Sequence, residues 1–159
     1  MRSRIGIVDF GSQYTQVIAR RVRELRVYSE IVPYWTSAEE IERAGYRGLI
    51  FSGGPASVYG EGAPKVDVGI YKVGVPILGI CYGMQRMVRD LGGEVERAGL
   101  REYGGGRLRV KCGCRLFEGM GEEMEVWNSH GDGVVRLPEG FVVVGVTENC
   151  EYAAVADEA

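Results

Sequence analysis

The sequence predicts an α/β fold in which a doubly wound, mostly parallel open sheet is followed by antiparallel strands in the C-terminal half. Up to residue 91, short apolar runs alternate with segments of helical period, which favours parallel strands joined by helical crossovers. Beyond that residue, glycine-rich turns separate short strand-like segments. A chain of 159 residues with 45% hydrophobic and 26% charged residues is ordinary for a globular domain. In such sheets the functional site lies at the carboxyl ends of the strands.

The first elements alternate between strand and helix. Residues 5–8, 27–33 and 48–51 are predicted strands because they are short, apolar and bounded by polar or turn-forming residues. In the first predicted helix, apolar side chains recur with a helical period at Tyr14, Val17, Ile18, Val22 and Leu25. Ser37, followed three residues later by Glu40, predicts a capping box at the start of a short second helix.

The most informative segment joins a fourth predicted strand, residues 75–80, to a helix. Gly79, Cys81 and Gly83 have the spacing of a nucleophile elbow, in which the nucleophile is strained and small flanking residues let strand and helix pack closely. Apolar side chains then recur at helical spacing at Met84, Met87, Val88 and Leu91. A helix N-terminus also favours the thiolate form of a cysteine. We therefore predict that Cys81 is the catalytic nucleophile; the alternative is a small buried residue that ends a core strand.

The segments after residue 91 are predicted to be antiparallel strands. They cover residues 107–111, 124–127, 133–137 and 141–146. The last residues, 153–159, do not have the pattern of a closing helix, which is unusual for an α/β domain. We expect a single domain, residues 1–159, that is incomplete at its C-terminus.

A glycine-rich loop, residues 52–57, directly follows the third predicted strand. It resembles the ATP loop of pyrophosphatase-type enzymes, but Ala56 replaces the Asp of that pattern and Pro55 removes a backbone donor. Nucleotide binding by this loop is therefore not expected. The glycines favour an oxyanion loop, in which a backbone N–H approaches a substrate oxygen and the N–H of Tyr82 is the second donor. A simple Gly-Pro turn is the alternative.

Charge and composition argue against several classes of function. A net charge of -3 and a pI near 5.3 leave no basic surface for nucleic acid. No segment approaches the ~20 apolar residues that cross a membrane. We therefore expect a cytoplasmic protein that contacts neither nucleic acid nor a membrane. The four cysteines are irregularly spaced and expected to be reduced, and with His130 as the single histidine no metal site is expected.

A polar cluster, residues 127–132, lies between two of the predicted strands. A cysteine nucleophile needs a base, and His130 is the only imidazole in the chain. The same segment has the composition of a turn whose backbone groups hold a ligand. His130 is thus a candidate base, with a structural role as the alternative.

Four segments together resemble the GMP synthetase branch of the class I glutamine amidotransferases. Their sequences are DFGSQY at residues 9–14, SGGP at 52–55, GICYGMQ at 79–85 and SHGD at 129–132. They occur in the order of that branch, and the resemblance covers essentially the whole chain. Related amidotransferases typically carry Leu-Gly-His-Gln after the cysteine, whereas residues 82–85 here are typical of the GMP synthetase branch.

The resemblance implies a flavodoxin-like fold and a glutaminase activity. Cys81 would attack the side-chain amide of glutamine to give a glutamyl thioester and ammonia. Gly54 and Tyr82 would supply the oxyanion-hole N–H groups, and Gln85 would contact the bound glutamine. The amino-acid end of glutamine would be held by Ser129, His130, Gly131 and Asp132.

The resemblance also implies a partner. Ammonia would pass to the ATP-pyrophosphatase domain or subunit of GMP synthetase, where XMP is adenylated with ATP and Mg²⁺ and then aminated to GMP. No cofactor is expected in the glutamine-hydrolysing domain itself.

Two departures from the family pattern affect these expectations. Members complete a Cys-His-Glu triad with a His-Pro-Glu segment soon after the region corresponding to residues 152–158, and the chain stops before it. Loss of a base of this kind costs on the order of 10²-fold to 10⁴-fold in rate, so the chain alone is expected to be almost inactive. Asn128 also stands where the family usually has Met.

Three alternatives remain open from the sequence. A non-catalytic module that binds glutamine or docks a partner would keep the substrate loops without the triad. The chain could equally be the amidotransferase part of another class I enzyme. A different cysteine hydrolase would require His130 as its base.

Overall fold

The computed structural model describes residues 4–157, except for the side chains of residues 98–102 and 129–130. The chain divides into two compact units, Met1–Asp90 and Leu91–Ala159. Each unit contains its own four-stranded sheet.

The first unit alternates strands with helices, as the sequence predicts. Its elements are β1 (Arg4–Asp9), α1 (Thr15–Glu24), β2 (Tyr28–Pro33), α2 (Ala38–Ala44), β3 (Gly48–Phe51), a 3₁₀ helix (Val68–Lys72), β4 (Ile77–Gly79) and α3 (Tyr82–Asp90). The strand order is β2-β1-β3-β4, and every neighbouring pair is parallel. The mixed α/β fold with a parallel sheet is therefore confirmed.

The core of this unit lies along its two central strands. Ile7 in β1 is in register with Ile31 in β2 and Ile50 in β3. Ile7 and Phe51 are completely buried, because both faces of the central strands are covered. This burial explains why these strands appear in the sequence as continuous apolar runs rather than as alternating patterns.

Helix α2 begins at the predicted capping box. The Glu40 N–H donates to Ser37 Oγ at 3.3 Å, and the Ser37 N–H donates to Glu40 Oε2 at 2.9 Å. The helix ends at Gly45, whose φ of +69° lies in the left-handed region that favours glycine. Both ends of this short helix are thus specified locally by the sequence.

The second unit is an antiparallel sheet. It contains β5 (Glu94–Val110), β6 (Glu123–Arg136), β7 (Val142–Val146) and β8 (Ala154–Ala156), in the order β6-β5-β7-β8. All three neighbouring pairs are antiparallel, which confirms the predicted change of architecture after residue 91. The buried apolar residues of this unit include Val95, Leu108, Val134, Val144 and Val146.

The long hairpin of β5 and β6 differs from the sequence expectation. Residues 124–127 and 133–137 were expected to be separate strands with a polar turn between them, but β6 runs through that segment without a break. Strand β5 likewise begins at Glu94 rather than at residue 107. The cross-strand ladder continues through pairs such as Gly106↔Val126 and Gly104↔Asn128, because backbone hydrogen bonds do not require an alternating side-chain pattern.

Within residues 4–157, no helix is both long and apolar enough to cross a membrane.

Candidate functional site

Cys81 occupies the turn between β4 and α3 in a strained backbone conformation. Its φ is +54°, in the left-handed region. That region costs a non-glycine residue about 1–2 kcal/mol. Arg26 is the only other non-glycine residue with positive φ in the part of the chain that the structure describes. The strain and the strand-turn-helix context agree with the predicted nucleophile elbow.

The two glycines of the elbow are required by close backbone contacts. A Cβ added to Gly79 would lie 2.7 Å from the backbone N of Met84, and one added to Gly83 would lie 2.4 Å from the carbonyl oxygen of Phe51. The first turn of α3 therefore packs directly against β3 and β4. A larger residue at either position would push the helix away from the sheet and displace Cys81.

Backbone hydrogen bonds fix the elbow on both sides of Cys81. The N–H of Ile80 donates to Phe51 O at 3.0 Å, and the N–H of Gly83 donates to Ser52 O at 3.1 Å. As the first residue of α3, Tyr82 carries an N–H that has no acceptor within the helix. The partial positive charge of this helix end lies beside Cys81.

The glycine-rich loop after β3 lies next to the elbow. A Cβ added to Gly53 would be 3.6 Å from Cys81 Cβ and 3.8 Å from Ser12 Oγ. A Cβ added to Gly54 would be 2.4 Å from Phe10 O, so the loop also packs on the chain after β1. The structure thus brings together Cys81 and both glycines where β1, β3 and β4 end, as expected for a parallel sheet.

The loop after β1 is shaped by two short side chains. Asp9 Oδ1 accepts from the Gly11 N–H at 2.9 Å and from Thr15 Oγ1 at 2.8 Å. Ser12 Oγ accepts from the Tyr14 N–H at 3.0 Å. These bonds shape the chain just before α1, which begins at Thr15 without a side-chain cap from Tyr14. They hold Ser12 beside Gly53, a proximity that the sequence pattern alone does not predict.

The buried face of α3 differs from the apolar face that the sequence predicts. Val88 is completely buried, as predicted. Tyr82, Gln85 and Arg86 are also at most 5% exposed, whereas Leu91, just after the helix, is 40% exposed. Arg86 forms a buried ion pair with Asp90, and the Tyr71 hydroxyl donates to Asp90 Oδ2 at 2.9 Å. A charged side chain can lie in this position because its partner on the same helix is buried with it.

Tyr82 adds a side-chain anchor to the elbow. Its hydroxyl donates to Pro64 O at 2.5 Å, and its ring packs 5.1 Å from the Phe10 ring. Burial raises the pKa of the Tyr82 hydroxyl, so this group remains a proton donor at neutral pH. The residue after Cys81 is therefore held by its side chain as well as by the helix.

The predicted residues for the amino-acid end of glutamine lie in the second unit, on β6. The backbones of Ser129 and His130 pair with Tyr103 and Glu102 of β5, and Asp132 pairs with Arg97. The side chains of Ser129 and His130 lie outside the described residues. The roles of these residues, including Gly131 and the alternative role of His130 as a base, therefore stay predictions.

Asn128, the departure from the family pattern, packs against a glycine. A Cβ added to Gly106 of β5 would lie 2.6 Å from Asn128 Nδ2. The Asn128 side chain thus lies over Gly106, which is diagonal to it on β5, and would have to move if Gly106 carried a side chain. Among the described residues, no group of three or more His, Cys, Asp or Glu side chains is placed to hold a metal ion.

Comparison with known proteins gives the site its context. Residues 6–159 match the family described as glutamine amidotransferase class-I. The chain is 58% identical over 156 residues to a protein from Aquifex aeolicus named GMP synthase [glutamine-hydrolyzing], covering 98% of this chain and 31% of that protein. A protein of the same name from Bacillus cereus is 54% identical over 153 residues, covering 96% of this chain and 30% of its own length. The chain thus spans less than a third of the length of these relatives.

Solved structures agree with this match. A Thermoplasma acidophilum protein described as a candidate GMP synthase component superposes with a TM-score of 0.84 at 27% identity, covering all of this chain and 80% of that chain. A glutamine amidotransferase from Thermotoga maritima superposes at 0.74 with 19% identity, covering 98% of this chain and 72% of that chain, and supports the fold alone. The elbow, the fold and the sequence match lead to one conclusion: the chain belongs to the class-I glutamine amidotransferase family.

Proposed function

We propose that this chain carries the nucleophile of a glutaminase, in which glutamine is hydrolysed to glutamate and ammonia through a thioester on Cys81, and that the chain alone is almost inactive. The observation that carries the proposal is the left-handed conformation of Cys81 between two glycines that no larger residue can replace without displacing the helix. A strained nucleophile of this kind is typical of acyl-transfer enzymes. Membership of the amidotransferase family supplies the substrate class, the side-chain amide of glutamine.

The proposed reaction has two steps. The Cys81 thiolate attacks the amide carbon, and the tetrahedral intermediate collapses with cleavage of the carbon-nitrogen bond. The leaving nitrogen takes up a proton and departs as ammonia, which leaves a glutamyl thioester. Water then attacks the thioester carbon, releasing glutamate and restoring the Cys81 thiol.

In both steps negative charge develops on the carbonyl oxygen, first that of the amide and then that of the thioester, and it must be stabilised. We assign its hydrogen-bond donors to the N–H groups of Gly54 and Tyr82, which belong to the loop and the helix end that flank Cys81. Gln85, one turn into α3, is assigned a contact with the bound glutamine. The amino-acid end of glutamine is assigned to Ser129, His130, Gly131 and Asp132.

We further propose that the ammonia is used by a synthetase part of GMP synthase. The relatives named GMP synthase [glutamine-hydrolyzing] are about three times as long as this chain and support this assignment. XMP, ATP and Mg²⁺ would be bound by that ATP-pyrophosphatase domain or subunit, in the cytoplasm. The loop at residues 52–57 does not fit ATP, because Pro55 has no N–H and Ala56 has no carboxylate.

A glutamine-analogue electrophile tests the glutaminase proposal without requiring turnover. We expect 6-diazo-5-oxo-norleucine to label Cys81 selectively, with protection by excess glutamine and no adduct in Cys81→Ala. Peptide mapping supplies an internal control, because Cys150 is partly exposed like Cys81 and Cys112 is exposed. Equal labelling of Cys81, Cys112 and Cys150, without protection by glutamine, would contradict the proposal.

A further inference from the structure

Ser52, the first residue of the glycine-rich loop at residues 52–57, has a completely buried hydroxyl with two backbone partners. Its Oγ accepts from the Phe10 N–H at 3.0 Å and donates to Gly53 O at 2.9 Å. We infer that Ser52 is a positioning residue whose hydroxyl orients the Gly53–Gly54 peptide so that the Gly54 N–H is available to the oxyanion. The inference rests on the proposed role of Gly54 in glutamine hydrolysis.

The geometry of one peptide unit links the hydroxyl to that N–H. Gly53 C=O and Gly54 N–H belong to the same planar peptide, and no cis peptide occurs among the described residues. In a trans peptide the two groups point in opposite directions. Because the buried Ser52 hydroxyl holds Gly53 O, the Gly54 N–H points away from that hydroxyl, which leaves it free to face a ligand.

The Gly53–Gly54 peptide needs such a constraint because the two glycines supply none. Neither glycine has a side chain to pack, and glycine reaches conformations on both sides of φ = 0 at little cost. A Gly-Gly peptide can therefore rotate to exchange the directions of its C=O and N–H. The hydrogen bond from Ser52 favours one of these two orientations, while the close approach of Gly54 to Phe10 O fixes only the position of the loop.

The backbone of Ser52 connects the same residue to the second proposed donor. Its N–H donates to Val8 O at 3.0 Å, and its C=O accepts from the Gly83 N–H at 3.1 Å. Gly83 directly follows Tyr82, whose N–H is the other proposed oxyanion donor. Ser52 is thus a single buried residue that forms hydrogen bonds with the end of β1, with the glycine loop and with the first turn of α3.

The test compares two buried serines that each donate to a backbone carbonyl. Ser29 is as completely buried as Ser52, and its Oγ donates to Ala19 O at 2.8 Å, away from the glycine loop. Ser29→Ala therefore reproduces the loss of a buried hydroxyl without affecting the Gly53–Gly54 peptide. For wild type and both variants, we would measure the concentration dependence of Cys81 labelling by 6-diazo-5-oxo-norleucine. Alkylation of Cys81 by iodoacetamide, which forms no oxyanion, reports the accessibility of the thiol.

We expect Ser52→Ala to lower the saturating labelling constant by on the order of 10²-fold, the loss typical of one oxyanion donor. The half-saturating analogue concentration and the iodoacetamide rate should stay close to wild type. Ser29→Ala should keep the wild-type labelling constant even if it unfolds at a lower temperature. Should Ser52→Ala not fold, the nearly isosteric Ser52→Cys carries the same expectation, because a thiol donates only weakly.

The outcomes separate this inference from the proposed function. A Ser52 variant that labels as fast as Ser29→Ala at saturation would overturn the positioning role while leaving the glutaminase proposal intact. Equal losses in the analogue and iodoacetamide reactions would show a structural role only and would also overturn it. If wild-type Cys81 shows no glutamine-protected labelling, the proposed function fails first, and the inference fails with it.

Discussion

At Gly83 the backbone of α3 contacts the end of β3. This contact is possible because glycine has a hydrogen atom in place of a side chain. An alanine Cβ there would lie 2.4 Å from Phe51 O and 2.6 Å from Phe51 Cβ, and neither atom can rotate away. We expect Gly83→Ala to lower the free energy of unfolding by about 1–3 kcal/mol, the usual cost of overpacking. Urea denaturation at pH 7 measures this difference.

A matched glycine provides the control for that experiment. Gly113 has no atom within 4 Å of its added Cβ and no positive φ. Gly113→Ala should therefore leave the urea midpoint nearly unchanged. Similar midpoints for the two variants would show that the contact at Gly83 relaxes without cost.

Glu30 couples the stability of the first unit to pH. The hydrogen bond from the Tyr46 hydroxyl, opposed by partial burial and reinforced by the Arg4 charge, holds the pKa of Glu30 below its ordinary value. A carboxylate with a lowered folded-state pKa stabilises the protein fully above its ordinary pKa. That stabilisation is lost as the pH falls through the folded-state pKa.

The Glu30→Gln variant tests this linkage. Its deficit in unfolding free energy relative to wild type should be largest at neutral pH and should shrink as the solution is acidified below the ordinary pKa of glutamate. Urea midpoints at several pH values between neutral and acid measure it, with the exposed Glu61→Gln as the control. A deficit that does not change with pH would mean that the carboxylate charge of Glu30 contributes nothing.

At the scale of the element, α2 and α3 carry the same type of ion pair in opposite environments. Arg86 and Asp90 are four residues apart on α3, with side chains 5% and 9% exposed. Arg43 and Glu39 have the same spacing on α2, with side chains 70% and 80% exposed. Only the buried pair leaves an uncompensated charge in the interior when one partner is removed.

This contrast gives a quantitative prediction. Asp90→Asn should lower the free energy of unfolding by about 3–5 kcal/mol, because Arg86 stays buried without its counter-charge. Glu39→Gln should cost at most about 1 kcal/mol, as for other exposed pairs. Thermal or urea unfolding of both variants measures the difference, and equal costs would show that Arg86 reaches solvent when Asp90 is neutral.

The helices and parallel strands could be predicted because their signals are local. The capping box of α2 lies within four residues, and the strand β3 is bounded in the sequence as in the structure, at Gly48–Phe51. The continuous strands β5 and β6 could not be predicted. Their glycine-rich and polar stretches are held as strand by pairing with a distant segment, which no local pattern encodes.

The candidate site could likewise be predicted only where its signals are local. The Gly79, Cys81 and Gly83 spacing predicted the elbow, because the steric requirement of a strand-turn-helix is local. The burial of Arg86 was missed because it depends on Asp90 and on Tyr71, which lies in the segment before β4. The hydroxyl bonds of Ser52 were also missed, since a serine before two glycines does not reveal which backbone groups will reach it.

At the scale of the whole molecule, the proposed site residues are distributed over the two compact units. The first unit contains Cys81, the proposed nucleophile, and both proposed oxyanion donors, while the residues proposed for the amino-acid end of glutamine belong to β6 of the second unit. The chain spans 31% and 30% of two relatives named GMP synthase. The proposed supply of ammonia to a synthetase is therefore a property to test in proteins of the relatives' length, whereas Cys81 labelling and unfolding can be tested in this chain.

The left-handed backbone of Cys81 has a consequence for how the protein could evolve. Cys81→Ala keeps the strain of that conformation, whereas Cys81→Gly removes it and should unfold with a free energy about 1–2 kcal/mol higher than Cys81→Ala. Parallel thermal denaturation of the two variants measures this, and identical stabilities would mean that the turn relaxes around any side chain. Selection for heat resistance alone would favour glycine at position 81, and the thiol would be lost. At this position, resistance to unfolding favours glycine, whereas a reactive thiol requires cysteine.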